Sequence, residues 1–145
     1  MAGEQYVIIA IGNEEYAISI EHVIEVARID TVKKILKAPA FLEGLISIRG
    51  QVIPLINLHL SFNSSLINEM ENSVYALIVD INGNLVAFSV DKICEVKNLE
   101  NVKKNPKLMQ VPFINGIFNL LDRIIMKLDL EQMFIGIELE NLETE

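Results

Sequence analysis

The sequence has no tryptophan, one cysteine and two histidines, and its twelve lysines and arginines are outnumbered by twenty aspartates and glutamates. Each shortage closes off a class of chemistry. With Cys94 alone, neither an internal disulfide nor a multi-thiolate metal site can form, and the apolar neighbours in "DKICEV" mark a small core side chain rather than a reactive thiol. His22 and His59 belong to no His-x-x-x-His or His-Glu-x-x-His pattern, so no metal centre is expected. A formal charge of -8 is a poor footing for neutralising phosphates, which sets nucleic acid aside as a partner. No basic region precedes "YVIIAIG", and Glu14 and Glu15 cut that run short. Neither a signal peptide nor a membrane span is therefore expected, and the chain reads as cytoplasmic.

Signatures of catalysis are missing as well. There is no Gly-x-Ser-x-Gly elbow, no Gly-x-x-x-x-Gly-Lys loop and no Gly-x-Gly-x-x-Gly turn. Asp80 follows "ALIV" in the manner of a phospho-acceptor aspartate, but that fold needs long amphipathic helices between its strands, and the sequence has none. No enzyme and no cofactor are expected, and binding remains as the function class.

What is present is aliphatic: 51% of the 145 residues are hydrophobic and 22% charged, a globular composition with enough length for one domain or two small lobes. Short Ile, Val and Leu runs separated by turn residues predict strands at Gln5 to Ile11, Glu15 to Ile20, Val23 to Ile29, Leu45 to Arg49 and Val52 to Asn57. Five more follow at Val74 to Ile81, Leu85 to Val90, Ile93 to Leu99, Ile117 to Leu121 and Ile124 to Leu128. Asn82-Gly83 suits a tight hairpin, and Gly50-Gln51 suits one with glycine first. Ser61 to Ser73 reads as a polar connection, "NVKKNPKLMQ" as an exposed loop, and a short helix is expected near Asp129 ahead of an acidic tail.

The two halves resemble each other. "GLISIRGQVIPLINL" from Gly44 lies over "GIFNLLDRIIMKLDL" from Gly116 at an offset of 72, and Tyr6 to Val26 lies over Tyr75 to Val96 at 69, becoming 70 past the hairpin, so that Glu25 meets Glu95. The matches are co-linear, which predicts a duplicated unit of about five strands, the size of a small barrel. Such small lobes bury little alone and are expected to share a core.

"APAFLEGLISIRGQVIPLINL" resembles the CheW-like family, the coupling proteins of bacterial chemotaxis and the related regulatory domain of the histidine kinase CheA. Pro39, Gly44, Arg49, Gly50, Pro54 and Leu58 stand at its key positions, and "YAISIEHVIEV" and "FINGIFNLLDRIIMKLDLEQMF" extend the likeness over Gln5 to Phe134. Ser47-Ile48 and Asn57 depart from the family's Asn-Leu and Asp. The resemblance implies a mostly β fold of two five-stranded SH3-like β-barrel subdomains sharing a hydrophobic core, with short helices. A single domain over 1-134 is expected, with pseudo-repeats at roughly 5-65 and 74-130 and interleaved ends, then an acidic tail at 135-145.

The same resemblance implies a non-enzymatic adaptor, monomeric when free and recruited to membrane receptor arrays. Its partners would be the CheA regulatory domain and the cytoplasmic tip of chemoreceptors. A small-ligand-binding β module and a coupler of a paralogous chemosensory pathway are the alternatives. Candidate partner-binding residues are Arg49, Glu25, Val23, Val26, Gly44, Leu45, Gly50 and Val52. Alternation along Leu45 to Arg49 puts Ile46 and Ile48 on one face and Arg49 on the other, at the strand's end. The resemblance implies Glu25 as its partner, because the family keeps a glutamate there. Arg49 and Glu25 either only pin the barrel or also shape a receptor-facing groove. The second-half position matching Arg49 is Leu121, with Arg123 displaced past the turn, an asymmetry that leans toward the second reading, since a purely architectural need should recur in both copies.

Overall fold

The computed structural model describes residues 3–38, 42–57, 75–106 and 113–133. Pro39, Leu58, His59, the connection from Ser61 to Ser73, the end of the second loop and the tail at 135-145 lie outside the described residues.

Ten strands fill the places the aliphatic runs predict: β1 (Glu4–Ile11), β2 (Glu14–Ser19), β3 (Val23–Arg28), β4 (Leu42–Ile48), β5 (Gln51–Asn57), β6 (Tyr75–Ile81), β7 (Asn84–Val90), β8 (Lys92–Leu99), β9 (Ile114–Leu120) and β10 (Arg123–Leu128). A single 3-10 turn, Ile20–His22, separates β2 from β3. The chain is thus mostly β, in two five-stranded sheets. No helix among the described residues is long and apolar enough to cross a membrane.

Position in the sheet explains strand composition. β1 and β6 are interior strands, with Val7, Ile8, Ile9 and Ile11 of one and Ala76, Leu77, Ile78, Val79 and Ile81 of the other all buried. A strand covered on both faces reads as a continuous apolar run. β3 lies at an edge and alternates instead, Val23, Glu25 and Ala27 inward, Ile24, Val26 and Arg28 outward.

One compact unit takes residues 1–21 and 93–145, the other His22–Lys92. The strand order is β8-β1-β2-β10-β9 in the first and β3-β6-β7-β5-β4 in the second. Replacing each strand by its counterpart in the other half of the chain converts one order into the other. Each sheet therefore joins two strands of one sequence repeat to three of the other. Register corrects one offset between the halves: Tyr6 pairs with Ser19 as Ala76 pairs with Ser89, and Ile11 with Glu14 as Ile81 with Asn84, so the displacement is 70 from the start of β1 and Tyr6 corresponds to Ala76, not Tyr75. The parallel pairs repeat too, Lys127 with Ala17 and Leu55 with Ala87.

Each unit has its own apolar cluster. Tyr6, Ile8, Ala17, Leu99, Phe118 and Ile125 form one, where half-buried Cys94 packs as a small hydrophobe. The Tyr6 and Phe118 rings meet there at 5.1 Å between centroids, a tilted contact. Ala27, Ile46, Ile53, Leu55, Ala76, Ile78 and Ala87 form the other. Each large aliphatic side chain so buried contributes about 1.5–3 kcal/mol.

Two polar details are set locally. Asp80, the residue with the phospho-acceptor look, accepts the Gly83 N–H at 2.8 Å and so buttresses the Asn82-Gly83 hairpin. Asp129 accepts the Gln132 N–H at 3.0 Å and caps the helical stretch at 130–133.

Candidate functional site

The β4–β5 hairpin turns one residue earlier than glycine placement suggests. Ile48 pairs with Gln51, so Arg49 and Gly50 are the two central residues, with φ of 52° and 79°. Positive φ at both is the type I′ combination, which Asn82-Gly83 also adopts at 53° and 88°. Arg49 is therefore not at the end of a strand but in the left-handed region, a conformation that costs a residue with a Cβ about 1–2 kcal/mol and suits Asn better than Arg.

From that turn the guanidinium reaches across to β3. Arg49 Nη1 lies 2.8 Å from Glu25 Oε2, with the arginine side chain 79% exposed and the glutamate 23%. β3 and β4 are opposite edges of their sheet, so this contact means the sheet curls until one edge strand meets the hairpin at the other. An ion pair this exposed contributes under about 1 kcal/mol to stability.

The first unit carries the same device in heavier form. Arg123, the first residue of β10, donates from Nε and Nη2 to Glu15 at 3.0 and 2.8 Å, and from Nη1 to Glu95 at 2.8 Å. Its side chain is only 25% exposed. Hydrogen bonds to Glu15 first, then to Glu95, raise its pKa beyond an already high ordinary value. Glu95 is the counterpart of Glu25, so the arginine that Leu121 appeared to have lost is present two positions on. The architectural need does recur, and the apparent asymmetry between Arg49 and Leu121 is no sign of function.

Around both ion pairs, apolar side chains face outward. In the second unit these are Ile24 and Val26 on β3 and Val52 on β5, the last 63% exposed. In the first they are Val96, the counterpart of Val26, Ile124, the counterpart of Val52 and equally exposed, and the fully exposed turn residue Leu121. Large aliphatic groups are thus exposed at corresponding places in the two units.

Of the candidates drawn from the sequence, Arg49 and Glu25 are brought together by their ion pair, Gly50 shares the turn with Arg49, and Val26 and Val52 are exposed on β3 and β5. Val23 is half-buried on the inner side of β3. Gly44 and Leu45 serve the fold. Leu45 exchanges two backbone hydrogen bonds with Lys33 at 2.8 and 2.9 Å, and a Cβ on Gly44 would lie 2.5 Å from the Lys33 carbonyl oxygen. The segment after β3 thus passes directly over β4, and Lys103 passes over Ile117 and Gly116 in the same way. Ile24, Glu15 and Ile124 were not singled out from sequence, and Glu95, Leu121 and Arg123 were noted there only as repeat positions, although the inward-outward alternation of "VIEVAR" already placed Ile24 on the face of Val26.

A polar cluster lies at the far end of the same hairpin. Asn57, 5% exposed, donates from Nδ2 to Glu43 Oε1 at 3.1 Å, and buried Ser89 also hydrogen-bonds the carboxylate. The amide at the position where the family carries aspartate acts here as a donor to a carboxylate. A shallow depression of about 260 Å3 is lined by Phe113, Ile114, Asn115, Asp129 and Gln132, but its polar groups serve one another: Asn115 Nδ2 donates to Asp129 Oδ2 at 3.1 Å. No group of three or more potential metal ligands occurs among the described residues.

A CheW-like domain model matches residues 5–138. The chain belongs to the CheW-like family. A CheW chemotaxis protein of Klebsiella aerogenes is 28% identical over 142 residues, covering 94% of this chain and 85% of that one. One from Treponema pallidum is 27% identical, with 95% and 86% covered. The crystal structure of the scaffolding protein TtCheW from Thermoanaerobacter tengcongensis superimposes with a TM-score of 0.82 at 28% identity, over 91% of this chain and 92% of that one. In this CheW-like chain the hairpin arginine and both glycines of the repeated "GLISIRG" and "GIFNLLD" stretches keep defined tasks: Arg49 in the turn, Gly44 and Gly116 beneath the crossing segments.

Proposed function

We propose that this chain is a non-enzymatic coupling protein of a bacterial chemosensory pathway, holding the regulatory domain of the histidine kinase CheA and the cytoplasmic tip of a chemoreceptor in one assembly. Its relatives of similar length are named chemotaxis proteins, and one is named a scaffolding protein. A coupler needs two surfaces, and two corresponding apolar faces braced by arginine–glutamate pairs are available. Recruitment to receptor arrays follows from those partners.

The observation that carries a binding role for Arg49 is its conformation. An arginine held at φ 52° in a type I′ turn, with its guanidinium mostly in water, adds little to stability and strains the backbone. Such a residue earns its place through a partner, where a planar fork recognises carboxylates. The experiment is reconstitution of kinase control with purified receptor tips, CheA and this chain, using Arg49→Asn. Asparagine relieves the turn, so the fold is kept, and binding to one partner falls. Unchanged binding to both partners by Arg49→Asn would remove Arg49 from the interface, and failure of the native chain to bind either would sink the coupling role itself.

A further inference from the structure

The connection that leaves β3 carries "VKKILK", Val32 to Lys37, and its counterpart after β8 begins "VKKNP", Val102 to Pro106. Both make the same backbone bridge to the next hairpin through Lys33 and Lys103. They differ at the residue two after the bridging lysine. In the second copy Asn105 Nδ2 donates to the Ile114 carbonyl at 2.8 Å, so that loop is tied to its own sheet. In the first copy the corresponding residue is Ile35, 40% exposed, and Leu36 beside it is 90% exposed, in a turn whose next residue, Lys37, sits at φ 62°. The duplicate therefore shows that an aliphatic residue at the place of Ile35 is not needed for this bridge. Leu36 beside it adds nothing to the core, and a large side chain left almost wholly in water on a strained turn is the kind of residue a partner covers.

Charge says what kind of partner. Lys33, Lys34 and Lys37 are all exposed around this tip, in a chain whose formal charge is -8. Asp30 precedes them, and Glu43 faces Lys34, which leaves Lys33 and Lys37 as the freer cations. A bound peptide segment senses charges within a Debye length of about 8–10 Å, and along this loop three lysines stand against Asp30 and Glu43. A flat anionic bilayer would face the whole acidic molecule, and one leucine with a half-exposed isoleucine is a shallow anchor for it.

We propose that the loop from Val32 to Lys37 is a docking site for an acidic protein segment bearing aliphatic side chains, which cover Leu36 and Ile35 while its carboxylates pair with Lys33 and Lys37. This site stands apart from the hairpin faces and does not depend on the coupling role.

The test uses the full chain and a fluorescein-labelled peptide of repeating Glu-Leu-Leu-Glu, with a Lys-Leu-Leu-Lys peptide as the charge-reversed control. Binding by anisotropy is expected for the acidic peptide only, weakening as salt rises. Leu36→Ser and Lys37→Glu should each weaken it at least fivefold, whereas Lys104→Glu in the duplicate loop leaves it unchanged. Circular dichroism melting of each variant reports folding, and both variants lie in an exposed turn where the melt should not move. Absence of binding, equal binding of both peptides, or equal loss with Lys104→Glu overturns the proposal. Co-sedimentation with vesicles of equimolar phosphatidylcholine and phosphatidylserine that Leu36→Ser abolishes, without peptide binding, overturns it in favour of a lipid surface.

Discussion

Glu95 stands 70 residues beyond Glu25, and each holds an arginine at 2.8 Å although the arginines come from different places, Arg49 from the centre of a turn and Arg123 from the strand after one. In both units an arginine bridges this seam, where an edge strand meets the hairpin at the opposite edge. In the first unit it lies inward, holds Glu15 as well and forms a clasp. In the second it sits in the turn, mostly in solvent.

Stability should follow that division. Arg123→Ala removes three charge-assisted hydrogen bonds to the half-covered Glu15 and Glu95 and is expected to cost about 1–3 kcal/mol. Arg49→Ala removes an exposed pair and should cost less than about 1 kcal/mol. Urea denaturation of the two variants in parallel checks the order; equal losses would contradict the clasp.

The glycines under the crossing segments differ in a measurable way. A Cβ on Gly44 meets backbone, the Lys33 carbonyl oxygen at 2.5 Å, as well as Val32 Cγ1 at 2.6 Å. On Gly116 the close atom is only Val102 Cγ2 at 2.5 Å, with the Lys103 carbonyl oxygen at 3.4 Å. Side chains can turn aside and hydrogen-bonded backbone cannot. Gly44→Ala should therefore lower the melting temperature clearly more than Gly116→Ala does, and thermal melts of the pair decide it.

Strand positions were legible because burial imposes a period of two on edge strands such as β3 and unbroken apolar runs on interior ones such as β1. The repeat was legible for the same reason. The turn at Arg49-Gly50 was not, since glycine fits either central position of a tight turn and nothing local announces an arginine at positive φ. Arg123 was hidden by the assumption that a corresponding role occupies a corresponding position. Two of its three hydrogen bonds come from the parallel pairing of β10 with β2, which sets Glu15, 108 residues earlier, alongside, and the third reaches Glu95 on an edge strand. The exchange of strands between repeats also left no local trace, because pairing is decided by tertiary contacts rather than by propensity.

The two hairpin faces should separate by partner. Val52→Glu and Ile124→Glu each place a charge on an exposed strand position, where a change in stability of within about 0.5 kcal/mol is expected. Each should weaken binding to one of the two proposed partners at least tenfold and leave the other intact. Titration of both variants against the CheA regulatory domain and against receptor tips reads this directly, and loss of neither interaction would show that the faces are not used.

Glu43 gives a pH dependence with a definite sign. Burial raises its pKa above the ordinary 4.5, opposed by hydrogen bonds from Asn57 and Ser89 and by Lys34. Because the folded state holds the proton more tightly than the unfolded one, the protonated form is favoured by folding. That contribution is complete below the ordinary value and is lost as pH rises through the higher folded one. At neutral pH the carboxylate is a residual liability, and Glu43→Gln, which keeps an oxygen for Asn57 Nδ2, should raise the melting temperature there. The gain should shrink as the pH falls below the ordinary value. Asn57→Asp does the reverse, setting a second carboxylate where a donor stood 3.1 Å from Glu43, and should be most damaging at neutral pH and recover on acidification. Melting curves of the native chain and both variants across the acidic range test the pair of slopes together. Parallel curves for all three proteins would show that Glu43 is fully solvated and that the cluster carries no linkage.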